Sequence, residues 1–175
     1  LKSGMYISYR LIVDNVRVEN LNVNHSHHFL EAGSRSLAEN IQIMNSSFNN
    51  ITGDLLRLDK ETDDLGNYNA ETLVMDKNRF TNIEGALISL YRGGTDESTF
   101  GPHLLFRHNH VENVGQGKRN KRSASLYLHG VQYTRIASNH IKNTAGIVIE
   151  HTVGDPDTEI RANRFTKVPA LRVAE

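Results

Sequence analysis

The sequence predicts an all-β fold: a right-handed single-stranded parallel β-helix, a solenoid of about six coils. Two observations carry this. The first is an internal repeat. Asn78-Arg79-Phe80-Thr81-Asn82-Ile83 returns as Asn109-His110-Val111-Glu112-Asn113-Val114 and as Asn139-His140-Ile141-Lys142-Asn143-Thr144. Worn copies stand at Ser46-Ser47-Phe48-Asn49-Asn50-Ile51 and Asn163-Arg164-Phe165-Thr166-Lys167-Val168. Their third positions, 48, 80, 111, 141 and 165, are spaced by 32, 31, 30 and 24 residues, a period typical of repeat architectures. The second is alternation. Five residues before each third position stands Ile43, Met75, Phe106, Ile136 or Ile160, and two further back Ile41, Leu73, Leu104, Thr134 or Thr158. Period 2 means a strand.

Each copy is followed by a further short strand pattern: Leu55 to Leu58, Ala86 to Leu90, Ser125 to Leu128, Ile147 to Glu150, and Leu171 to Val173. One repeat thus holds three short strands. Helical repeats would need apolar spacings of three and four over ten or more residues, and propeller blades a fourth strand with Asn-Gly or Asp-Gly hairpins. Neither pattern occurs. Stacked coils align equal positions in rows. Ile43, Met75, Phe106, Ile136 and Ile160 are expected to form one interior row. Asn78, Asn82, Asn109, Asn113, Asn139 and Asn143 are expected at corners, as structural ladders. Asn amides can bond the coil above, and Asn tolerates left-handed dihedrals.

Taken in order, residues 5–10 resemble residues 87–92, which reads them as the last strand of an earlier coil. Val16, Val18 and Val23 open the next coil, with Asn20 in the place Asn45 holds later. That coil carries His25, His27 and His28. A strand would put His25 and His27 on one face, but no carboxylate stands at a fixed offset, so they read as turn histidines and no metal ligand is assigned. Four longer connections follow, at residues 59–70, 91–103, 115–123 and 152–157. The first is acidic at Glu61, Asp63 and Asp64, and the third basic at Lys118, Arg119, Lys121 and Arg122. In solenoids such insertions gather on a binding face.

The 175 residues suffice for one domain with a large core, and 20 basic residues balance 20 acidic ones, so nothing suggests a nucleic-acid partner. There is no cysteine, hence no disulfide and no thiolate chemistry. No apolar run approaches membrane length, so no membrane partner is expected. End coils of β-helices are normally covered. The chain starts abruptly and stops on a repeat strand, which reads as a fragment of a longer, two-domain protein.

With Leu56/Leu58, Ile88/Leu90, Leu126/Leu128, Ile147/Ile149 and Leu171/Val173 facing inward, the outward row reads Arg57, Ser89, Tyr127, Glu150 and Arg172. Asp59, Tyr91, His129 and Thr152 lie beside it. Aromatic rings can underlie a pyranose and arginine can take a carboxylate. Arg57, Tyr91, Arg92, Tyr127, His129 and Glu150 are therefore the candidate saccharide-binding residues. An ordinary solvated sheet face is the alternative.

The stretch Tyr91-Arg92-Gly93-Gly94-Thr95-Asp96-Glu97-Ser98-Thr99-Phe100-Gly101-Pro102, followed by a strand and Asn109, resembles a motif in the second, C-terminal β-helix domain of alginate lyases of polysaccharide lyase family 6, which includes chondroitinase B. The resemblance implies a parent enzyme that cleaves uronate polysaccharide by β-elimination. There calcium neutralises the uronate carboxylate, a lysine removes the C5 proton and an arginine assists. It also implies a secreted or periplasmic protein, a missing N-terminal β-helix domain and room for a homodimer. The family's catalytic residues lie in its first domain, around Glu-x-x-x-Lys-Ser and Arg-His-Gly segments. Here Lys2-Ser3 has no upstream carboxylate, and Leu128 precedes His129-Gly130 where the arginine would stand. No catalytic residue and no cofactor is carried over, and calcium is expected only in the parent enzyme. For the motif itself two readings stand: a clamp in which Asp96 or Glu97 holds Arg92, or a saccharide subsite.

Overall fold

Every strand expected from the repeat is present, and the strands recur in threes. The computed structural model describes residues 7–21, 28–33, 36–59, 70–91, 101–152 and 154–174. The coils are β1 (Ile7–Asp14), β2 (Arg17–Leu21), β3 (Leu30–Glu31); β4 (Ser36–Met44), β5 (Ser47–Ile51), β6 (Leu56–Leu58); β7 (Thr72–Asp76), β8 (Arg79–Ile83), β9 (Ile88–Tyr91); β10 (His103–Arg107), β11 (His110–Val114), β12 (Ala124–His129); β13 (Tyr133–Ala137), β14 (His140–Thr144), β15 (Gly146–Glu150); and β16 (Asp157–Arg161), β17 (Arg164–Thr166), β18 (Leu171–Ala174). They form three six-stranded sheets. Sheet A runs β1-β4-β7-β10-β13-β16, sheet B β2-β5-β8-β11-β14-β17, and sheet C β3-β6-β9-β12-β15-β18. All pairings are parallel, so the chain is a parallel β-helix of six coils.

Alternation decides which side chains meet inside. In sheet A, Ile43 pairs with Met75, Met75 with Phe106, Phe106 with Ile136, and Ile136 with Ile160, the expected interior row. Sheet B contributes Phe48, Phe80, Val111 and Ile141, all buried. Phe48 stacks on Phe80 at 5.6 Å, and Phe80 on Phe106 at 6.3 Å. These offset rings form the apolar axis of the solenoid.

The two asparagines of the repeat occupy different corners. Asn78, Asn109 and Asn139 are buried. Asn78 N donates to Asn109 Oδ1 (2.9 Å), Asn109 N to Asn139 Oδ1 (2.9 Å), and Asn139 N to Asn163 Oδ1 (2.9 Å). Each Nδ2 also donates back to a sheet A carbonyl, of Ile43, Met75 and Phe106 in turn. The left-handed residue of this corner is the preceding one: Asn15, Asn45, Lys77, His108, Ser138 or Ala162. At the corner between sheets B and C the asparagine itself is left-handed, at Asn82 (φ 54°), Asn113 (φ 57°) and Asn143 (φ 50°). Its ladder runs in the opposite sense: Asn113 Nδ2 donates to Asn82 Oδ1 (2.9 Å) and Asn143 Nδ2 to Asn113 Oδ1 (2.6 Å).

Two expectations for the first coil are corrected. Residues 7–14 are the first sheet A strand, with Val13 opposite Ile43, and not a closing sheet C strand. Asn20 matches Asn50, which donates to it at 2.7 Å, and not Asn45. Val18 pairs with Phe48, which sets that register.

Candidate functional site

Sheet C carries the candidate face. Its inward residues are those expected, and the register brings Arg57, Ser89, Tyr127, Val148 and Arg172 into one outward row. Glu150 is not in that row. It pairs with His129 in the neighbouring row, beside Tyr91. With Ile147 and Ile149 inward, the residue between them must be Val148. Counting on to Glu150 oversteps by one pleat repeat, and Thr152 lies beyond the strand.

Tyr91 and His129 stack at 4.2 Å between ring centroids and 13° between planes. Tyr127 continues this strip, 6.5 Å from His129, and donates to Glu150 Oε2 at 3.1 Å. Burial raises the Tyr127 phenol above its ordinary pKa, so it stays a neutral donor. Arg92 and the Asp96/Glu97 stretch lie outside the described residues, as do His25 and His27.

Next to the strip sits a charged cluster, in which the sequence places Arg57, Ser89 and Asp59 side by side but not Asp54 or His28. Arg57 Nε donates to Asp59 Oδ1 (2.9 Å), and the Ser89 hydroxyl to Asp59 Oδ2 (3.0 Å). Asp54 Oδ1 accepts Ala86 N–H (2.8 Å), while its Oδ2 lies 3.4 Å from His28 Nδ1. Burial pushes the Asp54 pKa up, against the lowering effects of the Ala86 bond, His28 and Arg57. His28 faces a donor at each ring nitrogen: Asp54 N–H 2.9 Å from Nδ1, and Arg57 Nη1 3.2 Å from Nε2. A neutral imidazole accepts at one nitrogen, so one of these contacts is not a hydrogen bond. His28 is therefore a half-buried partner of the cluster rather than a solvated turn residue.

The 115–123 insertion bridges sheets B and C and covers this cluster. Gly115 N–H donates to Ile83 O (2.9 Å) and Gly117 N–H to Glu84 O (2.9 Å). A Cβ on Gly117 would lie 2.8 Å from that same carbonyl oxygen, so only glycine lets the insertion lie this close. Buried Asn120 spans the loop, donating to Gly115 O and Ala124 O (both 2.8 Å). The insertion lies over Ser89 and Tyr127, both buried, and encloses a cleft of about 340 Å³ lined by Asp54, Arg57, Asp59, Ser89, Arg119, Asn120, Lys121 and Arg122. Arg122 lies over the Tyr127 ring, 4.4 Å from its centroid. A wider hollow of about 670 Å³ lies over the Asn50, Asn82 and Asn113 corner. Its Asn82 and Asn113 amides are committed to neighbouring coils, which leaves fewer groups for a ligand. Among the described residues no group of three or more His, Asp or Glu is placed to hold a metal ion.

No protein-family model matches the chain, and no curated protein sequence matches it significantly. Solved structures do. The chain is 49% identical to the PL6 family alginate lyase AlyGC, with a TM-score of 0.92, over 95% of its own length. An arginine-to-alanine variant of that enzyme matches equally. The chain spans 23% of that enzyme's length, less than a quarter. An identity of 49% sustained over 95% of the residues identifies the chain as a parallel β-helix segment of the PL6 alginate-lyase type.

Proposed function

We propose that this chain is a non-catalytic accessory β-helix domain of an alginate-lyase-like polysaccharide lyase, and that its sheet C face contacts uronate polysaccharide. The parent chain would then hold an N-terminal catalytic β-helix, use calcium there, and work outside the cytoplasm. The observation that carries this reading is the match of nearly the whole chain to under a quarter of an alginate lyase. The stacked Tyr91–His129 pair supports the contact role, since flat rings suit the apolar face of a sugar.

A second reading, a divergent lyase complete in itself, is favoured by one feature. Asp54 combines a raised pKa, a cleft and nearby cations, as a general base can. One experiment separates the two. The chain is incubated with alginate while ultraviolet absorbance of unsaturated product is followed, and its migration is measured in native gels containing alginate. The accessory reading expects no product above the buffer control and slower migration than in alginate-free gels. Product formation would establish the second reading, and unaltered migration would remove the contact role.

A further inference from the structure

We infer that the cleft between sheet C and the 115–123 insertion is a pocket for a single carboxylate-bearing sugar residue, a uronate. Lys121 and Arg122 take its carboxylate, and Asp59 and Ser89 meet its hydroxyls. The inference rests on the substrate-contact reading above and localises it.

Three observations converge on this pocket. First, its roof is built rather than draped. The Gly115, Gly117 and Asn120 backbone bonds and the two Asn120 side-chain bonds hold the insertion at both ends and across its middle. Lys121 and Arg122 are thus carried on an ordered loop, and binding need not order it first.

Second, the cations of the roof are available. Lys121 is exposed and has no partner among the described residues. Arg122 makes no ion pair among them and is steadied by the Tyr127 ring beneath it. The floor cation Arg57 is instead committed to Asp59, so it adds field rather than a free fork.

Third, the lining is mixed. Four cations, Arg57, Arg119, Lys121 and Arg122, share the cleft with two carboxylates, Asp54 and Asp59. A sulfate or phosphate dianion would meet the carboxylates as like charges at close range. A sugar monoanion satisfies both sets: its carboxylate faces the cations, and its hydroxyls donate to Asp59 and to the Ser89 oxygen, whose own proton is held by Asp59. The volume, about 340 Å³, lies at the small end of the roughly 300–1,000 Å³ range of ligand sites. That suits a ring or two and not a long chain. The Tyr91–His129 strip then continues the path for a neighbouring sugar residue.

The test titrates the full chain with size-fractionated saturated alginate tetrasaccharides, with neutral cellotetraose and with inorganic sulfate, followed by calorimetry and amide chemical shifts. The tetrauronate should bind, perturbing amides of residues 119–123 and of Ser89, while cellotetraose and sulfate give no saturable change. Lys121→Glu should weaken tetrauronate by roughly tenfold or more with an unchanged melting temperature, because one charge-assisted bond becomes a repulsion. Lys121→Arg should restore most of the affinity. If Lys121→Glu binds as well as the wild type while Tyr91→Ala does not, the cleft assignment is overturned and sheet C contact stands. If the wild-type chain binds no tetrauronate, both are overturned.

Discussion

Asn109 and Asn113 stand four residues apart along one turn of the solenoid, and only one of them is irreplaceable by physical criteria. Asn109 is 2% exposed; its Oδ1 accepts Asn78 N–H and its Nδ2 donates to Met75 O. Alanine would orphan both of those buried backbone groups, at about 1–3 kcal/mol each, so Asn109→Ala should lose roughly 2–5 kcal/mol in urea unfolding. Asn113 is exposed and left-handed. Asn113→Ala should cost about 1–2 kcal/mol, mostly dihedral strain, and Asn113→Gly close to nothing. Equal losses at the two positions would mean the inner ladder is not the buried network described. Titration separates two aspartates in the same way. Burial would raise Asp76, but hydrogen bonds from His108 and Arg107 (both 2.9 Å) prevail and its pKa is lowered. A depressed carboxylate stabilises above its unfolded pKa of about 3.9, and that contribution disappears as pH falls through the folded value. Asp54 is raised, so its contribution has the opposite sign: present below about pH 3.9 and lost as pH rises through the folded value. Asp76→Asn should therefore lower the urea midpoint at neutral pH and flatten its decline below about pH 4. Asp54→Asn should hold or raise the neutral-pH midpoint. A neutral-pH loss in Asp54→Asn as large as that in Asp76→Asn would refute the assignment of opposite signs.

Strands are legible in the sequence because a period of two constrains a whole run at once. Ile41, Ile43 and Phe48 must face one way, and the repeat supplies that constraint coil after coil, so most registers follow from the alternation alone. The failures are local and have causes. Residues 7–14 form an eight-residue strand, long enough to match the sheet C pattern at its start and the sheet A pattern at its end, and one motif match does not choose between them. Glu150 suits the Arg57 row by its charge, although alternation assigns that place to Val148. The charged cluster is legible only in part: alternation sets Arg57, Ser89 and Asp59 side by side, but not Asp54 or His28. His28, Asp54 and Arg57 come from adjacent coils of sheet C and its edge, and nothing in the spacing of a histidine and an aspartate 26 residues apart marks a contact. The signal for the cleft is the basic insertion itself, but charge alone does not say whether a loop folds down. Gly117 and Asn120 decide that, one through a contact closed to any Cβ and one through two carbonyl bonds. Their trace in the sequence is a glycine and an amide inside an otherwise charged run.

Across the whole molecule, each coil touches only its neighbours, so stability should be distributed by position in the stack as much as by residue type. The sixth coil shows why. Phe165 occupies the place that Phe48 and Phe80 hold in their coils, yet it is 41% exposed where they are fully buried. Leu171 and Val173, at positions equivalent to buried Ile147 and Ile149, are 47% and 50% exposed. An interior ring has coils on both sides: Phe106 is fully buried and packs against Phe80. Phe106→Ala removes that packing and leaves a void its neighbours cannot close, so it should cost about 3–5 kcal/mol. Phe165→Ala gives up half-hydrated surface and leaves no enclosed void, so about 1 kcal/mol is expected. Amide exchange should follow the same gradient, with β8 and β11 protected to the level of global unfolding and β17 and β18 opening at lower free energy. Two-state urea curves of both variants, with exchange on the wild type, measure this directly. If Phe165→Ala costs as much as Phe106→Ala, and β17 is as protected as β8, then another surface covers the sixth coil in solution. That surface would have to come from outside the described residues, which leave Phe165, Leu171 and Val173 about half exposed.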